Sequence, residues 1–386
     1  MYDIIIIGSG VAGSTIARYL DGFNVLILEK NKKVVPKDSG IVSKRFFEFY
    51  DRKFAEHEIS EMELVAPNGS SFFLTDDKPF AYALHREKFA HAIIKDARKC
   101  GELRHETFLS MAIGKECVSV ATNKGDYEAR MVAGCDGALS RVRKCIGIKD
   151  MKLSVGIMTR KSGIKNGNIK VFFNKNYSPD FFSWIIPQTD EYGLMAGSRS
   201  RECLDKFKSD QRLSDGKLYA YMIPTGMTRS YSDRCILAGD ACGQNKPLTG
   251  GGIIFSLIGA KHAARTINES LHRGRFDCRF LSQYEKAWRK EISFEIRKQL
   301  LVRKVYSKIN NEDINRIFRD FGSHIQNLRG FDYDKFSKSW KHLPKIKLAR
   351  FAIGNLHHLF QPEFFHIDFF AKVDERQSAN KTPKPE

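Results

Sequence analysis

Near the amino terminus, Gly8-Ser9-Gly10-Val11-Ala12-Gly13 sets three glycines at G-x-G-x-x-G spacing, and an acid, Glu29, follows. Gly8 permits a tight turn, Gly10 lets the backbone approach a pyrophosphate, and Gly13 lets a helix pack close to a strand. A helix starting there offers phosphates its free N–H groups and the positive end of its dipole. Glu29 can accept hydrogen bonds from an adenosine ribose. Three elements must position these groups. Ile4–Ile7 is a continuous β-branched run, as in a parallel strand buried on both faces. Ser14–Leu20 reads as the helix, and Val25–Leu28 as a second strand that ends at Glu29. The complete arrangement predicts a dinucleotide site; the plainer reading is a glycine-rich turn without a ligand.

Two further segments carry the same kind of chemistry. Residues 131–143, MVAGCDGALSRVR, run from a strand into Cys135-Asp136-Gly137 and a basic helix start. Residues 235–264 run from a strand into Gly239-Asp240-Ala241, then Pro247, then Gly250-Gly251-Gly252 and a helix. An Asp at a strand end can hold ribose or ribityl hydroxyls, and a glycine-rich helix start can offer N–H groups to a flavin oxygen or a phosphate. G-x-G-x-x-G alone does not separate FAD from NAD(P). With all three motifs in this order, the sequence resembles the FAD-dependent para-hydroxybenzoate-hydroxylase-like superfamily.

That resemblance implies an α/β chain (α+β overall) with FAD as cofactor. Its Rossmann-like FAD-binding domain would be assembled from residues 1–150 and 231–275. A β-sheet substrate domain would be inserted at 151–230, and a helical region would follow over 276–376. It assigns cofactor contacts to Gly8, Gly10, Gly13, Glu29, Asp136 and Asp240, and to Arg86 in LHREKFAHAII, for which a surface Arg at a helix start is the bland alternative.

Within the superfamily the sequence is similar to the geranylgeranyl reductase family, of the archaeal digeranylgeranylglycerophospholipid reductase type. PLTGGGI at 247–253 matches the family's flavin-side loop. The family motif PxxYxWxFP reads here Pro179-Asp180-Phe181-Phe182-Ser183-Trp184-Ile185-Ile186-Pro187, with Phe182 for Tyr and Ile186 for Phe. The resemblance adds Ser39, Gly40, Val42, Gly252 and Ile253 to the cofactor contacts. It makes Phe182, Trp184, Ile186 and Pro187 a substrate wall. Phe182, Trp184 and Ile186 alternate, so a strand would turn all three to one face; that face would suit a polyprenyl chain, or be ordinary core.

The implied reaction saturates C=C bonds of geranylgeranyl chains in ether lipids, with hydride from reduced flavin. One departure bears on it: Ser39 of PKDSGIVS stands at the family's cysteine, and a hydroxyl is a far weaker acid than a thiol of pKa about 8.5. Two other readings stay open. Phe182–Pro187 also resembles the WxWxIP of flavin-dependent halogenases, with Lys37 or Lys44 as the lysine such chemistry needs, so an oxygenase or halogenase is one. A non-catalytic flavin- and lipid-binding protein is the other. A single nucleotide fingerprint implies an external electron donor: NADPH, ferredoxin or a deazaflavin.

Composition sets the outer bounds. The 386 residues suit two domains, or one large domain with an inserted one, and 42% apolar residues suffice for a core. No apolar stretch approaches the roughly 20 residues of a membrane span. The eight cysteines form no CxxC pair and read as free thiols with no metal role. The net charge of +19 comes without a nucleic-acid motif, so it points to a membrane surface rather than nucleic acid. The expected location is cytoplasmic, extending to a peripheral position on the inner membrane face. Over 279–320, Tyr284, Trp288, Ile292, Ile296, Leu300, Val305 and Ile309 approximate a helical stripe among many Arg and Lys. We read it as a packed helix with a solvated basic face, the alternative being a helix lying on anionic lipid. Residues 351–373 are rich in Phe, and His357 and His358 within them suggest nothing specific. Residues 377–386 read as a disordered tail.

Overall fold

The run YDIIII forms the strand Tyr2–Ile7, and its alternation divides the core in two. Ile4 and Ile6 pack with the helices on one face of a sheet, Ile5 and Ile7 with the elements on the other, all four almost fully buried. A computed structural model describes residues 1–335 except 21, 34, 37, 165, 166 and 180. Lys37, Asp180, the aromatic stretch 351–373 and the tail 377–386 therefore lie outside the described residues. The chain divides after His342, and all described residues belong to the first unit.

The first sheet has eight strands. In spatial order 231–232, 235–237, 126–134, 2–7, 25–28 and 102–104 form its path, and 118–122 and 108–113 branch from 126–134. The pairings from 235–237 through 102–104 are parallel. Their register sets Leu28, Ile7, Gly134 and Leu237 in one line, so four strands end at the same level.

The helices are α1 (Val11–Arg18), α2 (Arg86–Cys100), α3 (Arg141–Cys145), α4 (Ser200–Asp210), α5 (Ile253–Arg273), α6 (Cys278–Trp288), α7 (Phe294–Lys308) and α8 (Asn311–Gln326). Helices α1, α2 and α5 cover one face of the first sheet; α3 and the 108–122 strands cover the other. Helix α1 starts at Val11, three residues before the expected Ser14, because Gly10 is already its N-cap. The stripe expected in the carboxyl-terminal helices is present: Tyr284, Trp288, Ile292, Ile296 and Ile309 are buried.

The second sheet has seven strands in the order 217–224, 153–160, 191–196, 183–186, 169–172, 61–65 and 71–75. Two of them thus come from residues 61–75, ahead of the 151–230 stretch. One face packs Tyr192, Leu194 and Phe172 on α4, a helix within the 151–230 stretch expected to be sheet. On the other, Val171, Trp184, Gly193, Met158 and Tyr219 lie in line across five strands. This face packs against Ile41, Phe80, Ala81 and Ala83 of a small sheet of strands 41–42, 81–84 and 55–59. None of the eight cysteines is in a disulfide. Among the described residues no helix is long and apolar enough to cross a membrane.

A tight joint lies between the first strand and α1. A Cβ on Gly13 would lie 1.9 Å from the carbonyl oxygen of Gly8, backbone that has nowhere to go. Gly13→Ala should therefore cost at least the ~1–3 kcal/mol of an overpacked core. Denaturant unfolding would measure it, and a midpoint equal to wild type would show that the joint yields.

Candidate active site

The aligned strand ends put the candidate groups along one edge. Gly8 follows Ile7, with φ of +99° and a Cβ position 2.4 Å from the carbonyl oxygen of Cys135, so only glycine fits. Glu29 follows Leu28. Its carboxylate accepts from the Ser9 N–H (3.0 Å) and Oγ (3.1 Å) on one oxygen, and from the Asn31 N–H (2.9 Å) and Nδ2 (3.1 Å) on the other. A ribose diol reaching Glu29 would replace some of these partners. Asp136 lies two residues beyond Gly134; its Oδ2 accepts from the N–H groups of Arg141 (2.6 Å) and Val142 (3.1 Å), while its buried Oδ1 has no partner. Asp240 follows Leu237 by three residues, and burial pushes its carboxyl up to about 6, with the Asp38 charge adding to the shift. Helices α1 and α5 begin at Gly10 and Gly252 without a side-chain cap.

These features fit a dinucleotide. Nothing lies within 4 Å of a Cβ built on Gly10, so the turn is open where a pyrophosphate would approach. Besides Asp136 Oδ1, the buried Asn245 Oδ1 and both terminal nitrogens of Arg86 lack partners. Such atoms are costly to leave unpaired, and a polar ligand would satisfy them.

Arg86, at the start of α2, is buried. Its Nε donates to Asp38 (2.9 Å), which also accepts from the Gly40 N–H (3.0 Å). The arginine stem crosses Gly40 at 2.4 Å from where a Cβ would be, so Gly40, with φ of +72°, admits no side chain. Arg160 donates from its Nη atoms to the carbonyls of Asp38 (2.9 Å) and Pro36 (3.4 Å). Pro36, Asp38 and Gly40, around half-buried Ser39, are thus held by Arg86 of α2 and Arg160 of the second sheet. Val42 and Ile253 are buried, with side chains in the core under α1 and α5, so only their backbone can meet a cofactor. Lys44 is exposed.

Trp184 and Ile186 are buried on the face turned toward Ile41 and Ala83, and Phe182, just before the strand, is half-buried beside them. Phe182 stacks on Phe181 with ring centroids 4.4 Å apart. Pro187 lies in the turn after the strand rather than on its face. The same face meets the glycine-rich loop, since a Cβ on Gly250 would lie 2.8 Å from Met195 Sδ and 3.1 Å from Ile223.

Two buried groups here went unread in the sequence. Glu191, fully buried, accepts from Trp184 Nε1 (3.3 Å) and Arg160 Nε (3.5 Å). Burial pushes its carboxyl up to about 7, against the pull of Arg86. The available signal was an acid opening the otherwise apolar strand EYGLMA. The second is Lys246, just ahead of PLTGGG, whose Nζ pairs with buried Asp334 (3.0 Å) and lies over the Tyr333 ring. Ser43 Oγ donates to the other Asp334 oxygen. Removing one partner of such a pair strands a buried charge.

The profile of the FAD binding domain family matches residues 1–213. A protein of Methanothermobacter thermautotrophicus named digeranylgeranylglycerophospholipid reductase 2 is 26% identical over 373 residues, covering 87% of this chain and 94% of its own length. The Methanopyrus kandleri protein of the same name is 27% identical over 357 residues, covering 82% and 89%. Among solved structures, a geranylgeranyl bacteriochlorophyll reductase-like protein from Thermoplasma acidophilum superposes with a TM-score of 0.81 at 17% identity, covering 92% of this chain and 99% of that one. The halogenase PltM in complex with phloroglucinol and FAD gives 0.63 at 16% identity, covering 84% and 80%.

Gly10→Ala tests the pyrophosphate turn. Its Cβ meets open space, so unfolding of the FAD-free protein should be unchanged while FAD retention on gel filtration falls severalfold; unchanged retention would move the phosphates elsewhere. Glu191 gives a pH prediction. Its folded pKa lies above its unfolded value, so its stabilising contribution is complete below about 4.5 and is lost as pH rises through about 7. Unfolding midpoints of wild type should therefore fall relative to Glu191→Gln between about pH 5 and about pH 8. Parallel profiles would mean that Glu191 does not titrate in that range.

Proposed function

The chain belongs to the FAD binding domain family and uses FAD as its cofactor, and from that premise we propose that it reduces C=C bonds in the geranylgeranyl chains of ether lipids. The observation that carries the proposal is the apolar face of the second sheet. Phe182, Trp184 and Ile186 stand on it, and it adjoins both the Gly250 loop and the strand after Gly40. A polyprenyl chain offers almost no hydrogen bonds, so such a face can hold it only by burial and shape. The names and lengths of the archaeal relatives support the same substrate class.

In this reading the chain's residues do three things. The strand ends and the two glycine-started helices hold the dinucleotide: Glu29 takes the ribose and Asp136 and Asp240 take hydroxyls. Arg86 and loop 36–40 border the reacting face, and the aromatic wall excludes water and orients the prenyl chain. Bound and reduced, the flavin supplies the hydride. The second carbon still needs a proton, and the Ser39 hydroxyl is too weak an acid to provide it readily. We assign that proton to Glu191, whose buried carboxyl, held on Trp184 Nε1 and Arg160 Nε, is poised near neutrality. The electrons come from an external donor, and the substrate's home makes an anionic membrane face the place of work.

Geranylgeranylated glycerol-ether phospholipid added to the anaerobically reduced protein should gain mass in steps of two hydrogens while the flavin reoxidises. Unchanged lipid beside reduced flavin would reject this substrate class. Oxygen-dependent turnover would instead select the oxygenase or halogenase reading.

A further inference from the structure

Helix α7 has two unlike faces. Inward, Gln299 Oε1 accepts from the Leu248 N–H (3.3 Å), and Arg303 donates to the Pro247 carbonyl (3.0 Å) and Ser154 Oγ (2.7 Å) while its guanidinium lies over the Phe181 ring. The helix thus braces the loop that leads into α5 and the aromatic pair beside Trp184. Outward, Phe294 is 67% exposed and Leu301, two turns on, is 37% exposed. Arg297 lies exposed between them, and the Lys298 ammonium sits over the Phe294 ring at 4.1 Å.

The charge of this segment is one-sided. Residues 289–308 carry seven Arg or Lys and two Glu. Both carboxylates are engaged: Glu295 is buried and accepts from Gln299 (3.0 Å), and Glu291 pairs with Arg45 (2.6 Å) and His262 (2.9 Å). The outer face therefore presents cations with two large apolar side chains among them. A second copy of a chain of net charge +19 is a poor electrostatic match for it. Residues 336–386, with nine Lys or Arg against five acids, are no better. A polyanion without apolar depth would leave Phe294 and Leu301 unused. An anionic bilayer serves both, since cations pair with headgroups while Phe and Leu enter the acyl boundary.

We propose that the outer face of α7 docks the protein on anionic lipid bilayers through Phe294, Leu301 and the surrounding Arg297 and Lys298, setting the flavin-side loop and the aromatic wall directly behind the membrane contact. Docking gains its purpose from the lipid-reductase reading, yet measuring it requires no turnover, so either can fail without the other.

The test is flotation of the FAD-bound full chain with phosphatidylglycerol or phosphatidylcholine vesicles. Binding should be confined to phosphatidylglycerol and weaken as salt rises. Each cation at such a surface is worth about fivefold in affinity, so Arg297→Glu with Lys298→Glu should weaken binding by well over tenfold. Phe294→Ser with Leu301→Ser, both at exposed positions, should weaken binding to either salt level while leaving FAD content and unfolding unchanged. Variants that float like wild type, wild type that ignores phosphatidylglycerol, or salt-independent binding would overturn the proposal. So would a dimer on gel filtration that the Phe294 and Leu301 changes dissolve, which would make the face a contact between copies.

Discussion

The contact between Gly8 and Gly13 governs where everything else in the nucleotide-binding half can be. Strand Tyr2–Ile7 and α1 approach until the Gly8 carbonyl fills the place of a Gly13 Cβ. That fixes the start of α1 directly beyond the strand end, at the level the parallel register gives to Leu28, Gly134 and Leu237. Chains leaving those three strands deliver Glu29, Asp136 and Asp240 to the same edge. A parallel sheet with level ends thus brings three acids distant in sequence to one edge, outside the carboxyl ends where the strand order reverses around Tyr2–Ile7.

The second sheet is joined to this edge by polar contacts as well as packing. Trp184 donates to Glu191, Arg160 bridges Glu191 to the carbonyls of loop 36–38, and Asp38 holds Arg86 and the Gly40 amide. A displacement of the aromatic wall is thereby felt at loop 36–40. The price is a set of charges with little water. Arg86 is left with two unpaired nitrogens, and the Glu191 carboxyl sits near neutrality because burial outweighs the arginines around it. Stability has been given up where a ligand can use the unmet polarity.

What the sequence disclosed follows the range of the forces involved. The first strand, α1 and the second strand were readable because β-branched runs, glycine spacing and an acid at a strand end are local signals. Helix α1 started three residues early only because Gly10 served as cap as well as turn. The resemblance implied a β-sheet domain at 151–230, but nothing local tells 61–65 to pair with 169–172, a parallel contact across about a hundred residues. Helix α4 carries no strong apolar period in SRECLDKFKSD, where only Leu204 and Phe207 are buried. Glu191 and the Lys246–Asp334 pair acquire meaning only when their partners arrive from other elements; for Glu191 alone, a charged residue in an apolar run was a trace.

The Lys246–Asp334 pair extends this logic to the loop that leads into α5. Ser43 closes the small strand after Gly40, Lys246 opens the glycine-rich loop, and Asp334 follows α8; the three meet in a volume almost without water. Apolar residues could fill that volume with less desolvation cost, so stability alone is a weak reason for the pair. Its directional demand is the stronger one. Lys246 reaches its carboxylate only while the loop it opens keeps its fold, with the Lys246 N–H on the Gly251 carbonyl and the Gly250 N–H on the Lys246 carbonyl. A buried charge that is satisfied in one arrangement holds the start of α5 at a defined place, beside Asp240 on the edge that Gly8 and Gly13 define. That edge is thereby fixed twice, by a steric contact at Gly8 and Gly13 and an electrostatic contact at Lys246.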